Sequence, residues 1–313
     1  MKIWNRIERY PEDAGRVVAT IGNYDGVHRG HRVILSDVVA AARALRGSSL
    51  LITFDPHPLE VVAPERRPQL LQTRGQKLES LEETGLDAVL ILAFDTTLAA
   101  MTGEQFFEAV LDRRVDLAEV RIGENFRFGH DRAGGVELLT AIGARRKFEV
   151  GSVSPVEIDG GIVSSSRIRQ QIRDGQVESA AAMLGRPYTI RGEVTRGDGR
   201  GRKLRYPTAN LSTRNELLPG NGVYVTEVVT GAARQAAVSN VGIRPTFHSG
   251  GTAVETHLID FEGNLYGERM EVRFLARIRD EQKFADGVEL SNQIARDLAA
   301  AEAFFENGRL APL

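Results

Sequence analysis

The sequence predicts a parallel α/β domain followed by a small antiparallel β-domain, a barrel or sandwich, closed by one C-terminal helix. Three observations carry this. Apolar strand runs alternate with helical periodicity through the first half of the chain. After Gly185 hairpin signals become dense, and helical periodicity stops until residue 288. The length of 313 residues suits about two domains. The boundary falls near 185–187, giving domains 1–185 and 186–313.

RVVATIG (16–22) reads as a buried strand. Ile34, Leu35, Val38, Val39, Ala42 and Leu45 then recur at helical spacing, predicting a helix to about Arg46. SLLITF (49–54) is the second strand, and DPHP (55–58) stops it because two prolines cannot continue a ladder. RGQKLESLEETG (74–85) is a helix ended by Gly85. The strand LDAVLILAF, the helix TGEQFFEAVLDRR and the strand AEVRIG follow, then GGVELLTAIGARR and KFEVGSVSPV as a further helix and strand. Such alternation implies right-handed βαβ units and a parallel sheet. Two short helices, SSSRIRQQIRDG and VESAAAMLG, end this half. The strands YTIRGEVT, GVYVTEVVT, QAAVSNVG, TAVETHLIDF and RMEVRFLARI come next, then the helix VELSNQIARDLAAAEAFFENG.

Composition excludes several chemistries. There is no cysteine, hence no disulfide, thiolate zinc site or cysteine nucleophile. Forty Lys plus Arg against 42 Asp plus Glu give a net charge of −2, which by itself argues neither for nor against a polyanionic partner; with no further basic clusters, no nucleic acid is expected. The first 16 residues hold no apolar signal core, and the longest apolar run, AVLILAF, is too short to cross a bilayer. A cytoplasmic protein without membrane contact is the expectation; oligomeric state is not readable.

IGNYDGVHRGH (21–31) places His28 and His31 three residues apart at a predicted helix start. Side chains at that spacing share a face, and the helix N-terminus attracts phosphate. Gly22 and Gly26 let the turn approach a ligand, and Gly30 reads as room for a flat ligand. Imidazoles there can donate to phosphoryl oxygens as charge builds. Two histidines alone make a poor zinc site. The stretch, with Gly22, Asn23 and Asp25 in its turn, resembles the HxGH nucleotidyltransferase superfamily. That family's second signature, a serine-rich helix start bearing a basic residue, is matched by Ser164, Ser165, Ser166 and Arg167; an ordinary serine N-cap would look the same. In GENFRFGHDRAGG (123–135), Phe126 and Phe128 either stack on a flat ring or are buried loop aromatics, with Asn125 and Gly129 shaping the loop. His57 in DPHP either lines the site or makes a structural turn.

RGDGRGRKLRYPTANL (196–211) begins with glycines and positive charge. It reads as a phosphate-contacting loop that includes Gly199, a solvated hairpin, or an RNA-contacting patch. Thr208 and Asn210 in PTAN offer hard oxygen ligands that suit Mg²⁺ carried on nucleotide phosphates. Glu255, on an alternating strand, is either a proton acceptor for an attacking hydroxyl or an exposed strand glutamate.

These motifs, with TFDPHP, GVY, NVGIRPTF and ETHLIDFEGNLYG, occur in order over nearly the whole chain. Together they resemble the bacterial bifunctional riboflavin kinase/FAD synthetase family. The resemblance implies a Rossmann-like nucleotidyltransferase domain that adenylylates FMN with ATP to give FAD and pyrophosphate. It also implies a β-barrel that phosphorylates riboflavin with MgATP. It assigns His28 and His31 to the α-phosphoryl transition state, supported by Asn125, Ser164 and Arg167. Thr208 and Asn210 match the family's metal and nucleotide residues, and Glu255 its catalytic base. The chain departs from the family at Arg205 and Tyr206, which replace Gly-Phe before PTAN, at Ser166 for Thr and at Tyr24 for Phe. Arg205 motivates an alternative: an active adenylyltransferase joined to a barrel that only binds or regulates. A tRNA-charging enzyme is disfavoured, because no KMSKS-like loop occurs.

Overall fold

Six parallel strands form the first sheet: β1 (Lys2–Trp4), β2 (Arg16–Ile21), β3 (Ser48–Asp55), β4 (Ala88–Ala93), β5 (Asp116–Gly123) and β6 (Glu149–Val153). In this computed structural model, residues 1–11, 15–111, 115–196, 206–231, 233–243 and 252–308 are described. The strand order is β1-β4-β3-β2-β5-β6. The chain runs outward from β2 through β3 to β4, then returns to the other side of β2 for β5 and β6. A topological switch point therefore lies between β2 and β5, where open α/β sheets bind ligands at the strands' carboxyl ends.

Strand alternation sends side chains to two cores. Val17, Ala19, Ile21, Leu50, Ile52 and Leu90 pack on one face against α5 (Gly103–Val110) and α6 (Val136–Arg146), through Phe106, Phe107 and Leu139. Val18, Leu51 and Val89 pack on the other face against α1 (Arg29–Ala44) and α3 (Arg74–Glu82), through Leu35, Val38 and Leu81. Both faces are covered, which is why these strands read as continuous apolar runs. Two five-residue helices, α2 (Pro58–Val62) and α4 (Thr96–Ala100), and a small hairpin, β7 (Glu157–Ile158) with β8 (Gly161–Ile162), complete this unit.

The chain divides into two compact units: Met1–Gln69 with Arg74–Val163, and Leu70–Thr73 with Ser164–Leu313. The second contains α7 (Ser165–Arg173), α8 (Val177–Leu184) and a closed antiparallel barrel. The barrel strands are β9 (Tyr188–Thr195), β10 (Ala209–Thr213), β11 (Gly222–Thr230), β12 (Ala233–Ile243), β13 (Thr252–Leu258) and β14 (Arg269–Arg279), closing in the order β10-β13-β12-β11-β14-β9. The domain is thus a barrel, not a sandwich. The strand β10 was not expected; ANLST gains it by pairing with β9 and β13.

Tyr224, Val228, Val272 and Phe274 are fully buried in the barrel. So are three hydroxyls, Thr226, Ser239 and Thr256, linked in a chain by contacts of 2.8 Å and 2.8 Å. They satisfy one another where no water reaches. The C-terminal helix α9 (Gly287–Glu306) is capped by Asp286, which accepts from two backbone N–H groups. Through Ala301 it packs against an outer barrel face around Val225 and Ile259. The buried Asp297 carboxylate accepts from Arg279 of β14 at 2.7 Å and 2.9 Å, holding the helix in place.

Candidate active sites

The turn after β2 leaves the sheet at the switch point, and three residues there have positive φ: Tyr24 at 50°, Gly26 at 86° and Val27 at 38°. Tyr24 and Val27 pay for this conformation without glycine's freedom, as functional turns often do. The Tyr24 ring is buried, packs tilted at 36° against His31 with centroids 4.6 Å apart, and meets Thr20 Oγ1 through its hydroxyl at 2.7 Å. Gly22 is needed for this packing, since a Cβ there would stand 3.1 Å from the tyrosine ring.

His28 is the N-cap of α1 rather than a residue within it. The His31 backbone N–H donates to His28 Nδ1 at 3.3 Å. A neutral His28 therefore carries its proton on Nε2 and is a donor there. The two imidazoles stack at 3.5 Å and 16°. Burial holds the His31 pKa well below its ordinary value, and His28 and Lys77 add to this by charge repulsion. His31 Nδ1 is buried and has no hydrogen-bond partner among the described residues. Gly30 has a use within the fold beside the room for a flat ligand that the sequence implies. A Cβ there would meet the His28 ring at 3.2 Å, so this glycine makes room for the histidine.

The segment after β3 reaches the same turn. His57 caps α2, its Nδ1 accepting from the Leu59 N–H at 3.2 Å, and its Nε2 lies 3.1 Å from the Asn23 side-chain amide. It is both a structural turn residue and a neighbour of the glycine turn. Asp25 is buried. Lys77, which the sequence did not single out, donates to the Asn23 carbonyl at 2.5 Å and to Thr53 Oγ1 at 2.8 Å. After β5, Asn125 is exposed. Phe128 is a core residue with Phe126 stacked on it at 5.4 Å, so Phe128 is not a ligand platform but a packed side chain between Gly103 and Gly134. A cavity of about 910 Å³ lined by Thr97, Met101, Gln105, Glu108 and Arg146 holds none of the residues that the sequence singles out.

In the second unit, Ser164 is the N-cap of α7 and accepts from the Arg167 N–H at 3.2 Å. Ser166 is exposed. In the barrel, Asn210 and Glu255 are direct cross-strand partners, and Glu255 is also opposite Asn240. Opposed residues share a face, so the sheet sets Asn210, Glu255 and Asn240 in one row. Asn210 is buried, while Thr208 and Glu255 are half-buried. His257, two residues along from Glu255, meets the Pro207 carbonyl through Nδ1 at 2.8 Å, and Tyr206 packs edge-on against its ring. The carbonyl must accept, so Nδ1 carries the proton, and the PTAN bend is pinned to β13. Gly199 and Arg205 lie outside the described residues, as does most of RGDGRGRK.

The donor set fits magnesium in a particular way. Among the described residues no group of three or more His, Cys, Asp or Glu could cage a metal. Thr208 and Asn210 supply neutral oxygens only, which suits an ion arriving on nucleotide phosphates and not one held by protein alone.

Comparison with known proteins agrees with both halves. Residues 10–167 match the FAD synthetase family and residues 184–305 the riboflavin kinase family. The bifunctional riboflavin kinase/FMN adenylyltransferase of Escherichia coli K12 is 38% identical over 290 residues, 92% of each chain. That of Pseudomonas fluorescens is 38% identical over 294 residues, 94% of each chain. A Streptococcus pneumoniae crystal structure described as a macrolide-efflux protein superposes with a TM-score of 0.87 at 30% identity, covering 96% of this chain and 98% of that one. No helix among the described residues is long and apolar enough to cross a membrane.

Proposed function

The chain belongs to the bifunctional riboflavin kinase/FMN adenylyltransferase family, and from that premise we propose how its residues divide the two reactions. The protein phosphorylates riboflavin to FMN with ATP and adenylylates FMN to FAD with a second ATP. We assign the second reaction to residues 1–185 and the first to residues 186–313.

The observation that carries the adenylylation assignment is topological. The segments holding His28 and His31, His57, and Asn125 follow β2, β3 and β5, three adjacent parallel strands, at their carboxyl ends. In this reading an FMN phosphate oxygen attacks the α-phosphorus of ATP, a new P–O bond forms, and pyrophosphate leaves with the electron pair of the broken bond. His28 Nε2–H and a neutral His31 donate to the α-phosphoryl oxygens as charge accumulates. Gly22, Asn23 and Asp25 shape the nucleotide-facing turn, and Ser164 and Arg167 hold phosphate charge. In phosphoryl transfer, positioning and charge neutralisation do most of the work.

In the barrel, Glu255 takes the proton of the riboflavin 5′-hydroxyl as its oxygen attacks the γ-phosphorus and ADP leaves. Thr208 and Asn210 would hold the nucleotide's Mg²⁺, which would neutralise phosphate charge. Gly199 belongs to the phosphate-contacting loop. No observation favours the alternative of a kinase-inactive barrel. Cytoplasmic location and independence of nucleic acid and membranes remain part of the proposal.

Incubation with riboflavin, ATP and Mg²⁺, with a parallel sample started from FMN, tests the assignment after chromatographic separation. FAD is expected from both. Glu255→Gln should remove FAD formation from riboflavin alone, and His28→Ala should remove it from both while FMN still accumulates. FAD formation from FMN by His28→Ala at the wild-type rate would refute the adenylylation assignment.

A further inference from the structure

Lys77 sits on α3, outside every motif. Its Nζ, the Thr53 hydroxyl and the Asn23 carbonyl form a closed triangle, for Thr53 Oγ1 also donates to that carbonyl, at 3.2 Å. The carbonyl is therefore doubly held, once by a full positive charge. It belongs to the residue immediately before Tyr24, the first of the turn's three positive-φ residues. A strained turn persists only where its surroundings over-determine it. His57 restrains the same residue by its side chain. Lys77 thus ties together α3, the end of β3 and the turn that delivers His28 to the start of α1.

We propose that Lys77 is a positioning residue for FMN adenylylation: by holding the Asn23 carbonyl it fixes the turn that sets the His28–His31 stack. This rests on assigning adenylylation to that stack. The charged and titratable groups around Lys77 are Asp25 on the turn, Asp55 at the end of β3, Arg74 on its own helix and His31 on α1. Desolvation pushes the Lys77 pKa down to about 8 against the pull of both carboxylates. The ammonium also opposes a second positive charge on His31.

The test uses full-length Lys77→Met, Lys77→Arg and His31→Asn proteins. In Lys77→Met, kcat for FAD from FMN should fall about 30-fold with KM for ATP and FMN within about threefold. The same preparation should phosphorylate riboflavin at the wild-type rate, and its His31 imidazole should titrate at higher pH by NMR. A kcat within about twofold of wild type, while His31→Asn is inactive, would overturn the proposal and spare the site. Unchanged FAD formation in His31→Asn would overturn both. If Lys77→Met loses both activities through misfolding, Lys77→Arg decides. The wild-type rate should decline above about pH 8 as the ammonium loses its proton. Arginine does not deprotonate there, so an identical decline in Lys77→Arg would overturn the proposal.

Discussion

Gly30→Ala separates what α1 gains from what the site loses. Gly30 is the second residue of α1, and alanine in a helix recovers about 0.5–1 kcal/mol relative to glycine. A Cβ here stands 3.2 Å from Cε1 and 3.3 Å from Nδ1 of His28, and 3.8 Å from the Val163 carbonyl oxygen. The first two contacts are tighter than most real ones, so the imidazole must withdraw by a few tenths of an ångström. Withdrawal stretches the bond from the His31 N–H, already 3.3 Å long, and losing a cap costs about 0.5–1 kcal/mol. The two effects offset, leaving a net change within about 1 kcal/mol and a thermal midpoint within about 4 °C of wild type. Catalysis has no such compensation. A 1 Å misplacement costs about 10²-fold, so a few tenths of an ångström should slow FAD formation about five- to tenfold. Single-turnover conversion of FMN to FAD reads the loss, and riboflavin phosphorylation by the same sample reports intact folding. Wild-type FAD formation with a raised midpoint would refute the reasoning, since the glycine would then not be there for the histidine.

Other outcomes follow from the same geometry. Glu255→Gln should slow riboflavin phosphorylation about 10²- to 10⁴-fold and leave FMN adenylylation intact, read as FMN plus FAD formed from riboflavin and FAD formed from FMN. His31 has a folded pKa below its ordinary value of 6.5, so below that pH the unfolded chain binds a proton that the folded chain refuses. Stability is then full above pH 6.5 and lost as pH falls toward the folded pKa; urea unfolding should show the advantage of wild type over His31→Asn shrinking between pH 7 and pH 5. Arg279→Met leaves the buried Asp297 carboxylate without its cation and should destabilise the second unit by about 3 kcal/mol, measured by denaturant titration, without changing FAD formation from FMN.

What the sequence displayed depended on how local the signal was. Leu35, Val38, Val39 and Ala42 repeat at helical spacing and lie buried on one face of α1, as expected. The barrel strands β9 and β11 matched the predicted strand runs residue for residue. β10 stayed hidden because a five-residue strand beside Pro207 looks like a turn until β9 and β13 supply its hydrogen bonds. α2 and α4, five residues each, are too short to show a period. The histidine pair was legible because its spacing is local. Lys77 was not, because a lysine on an amphipathic helix usually faces water, and only the fold places this one against Asn23 and Thr53. The alternation around Glu255 was legible; its position opposite Asn210 required the barrel's register.

That register has a keyway. The inward members of β13, Val254, Thr256 and Leu258, repeat every second residue, so sliding the strand by two would still turn the same face into the barrel. The slide would carry Glu255 away from Asn210. It would also pull Thr256 off Ser239, stranding hydroxyls in a dry interior at about 1–3 kcal/mol each. Three buried hydroxyls thus act as the teeth of a key, admitting the one alignment in which carboxylate and amide stand opposite each other.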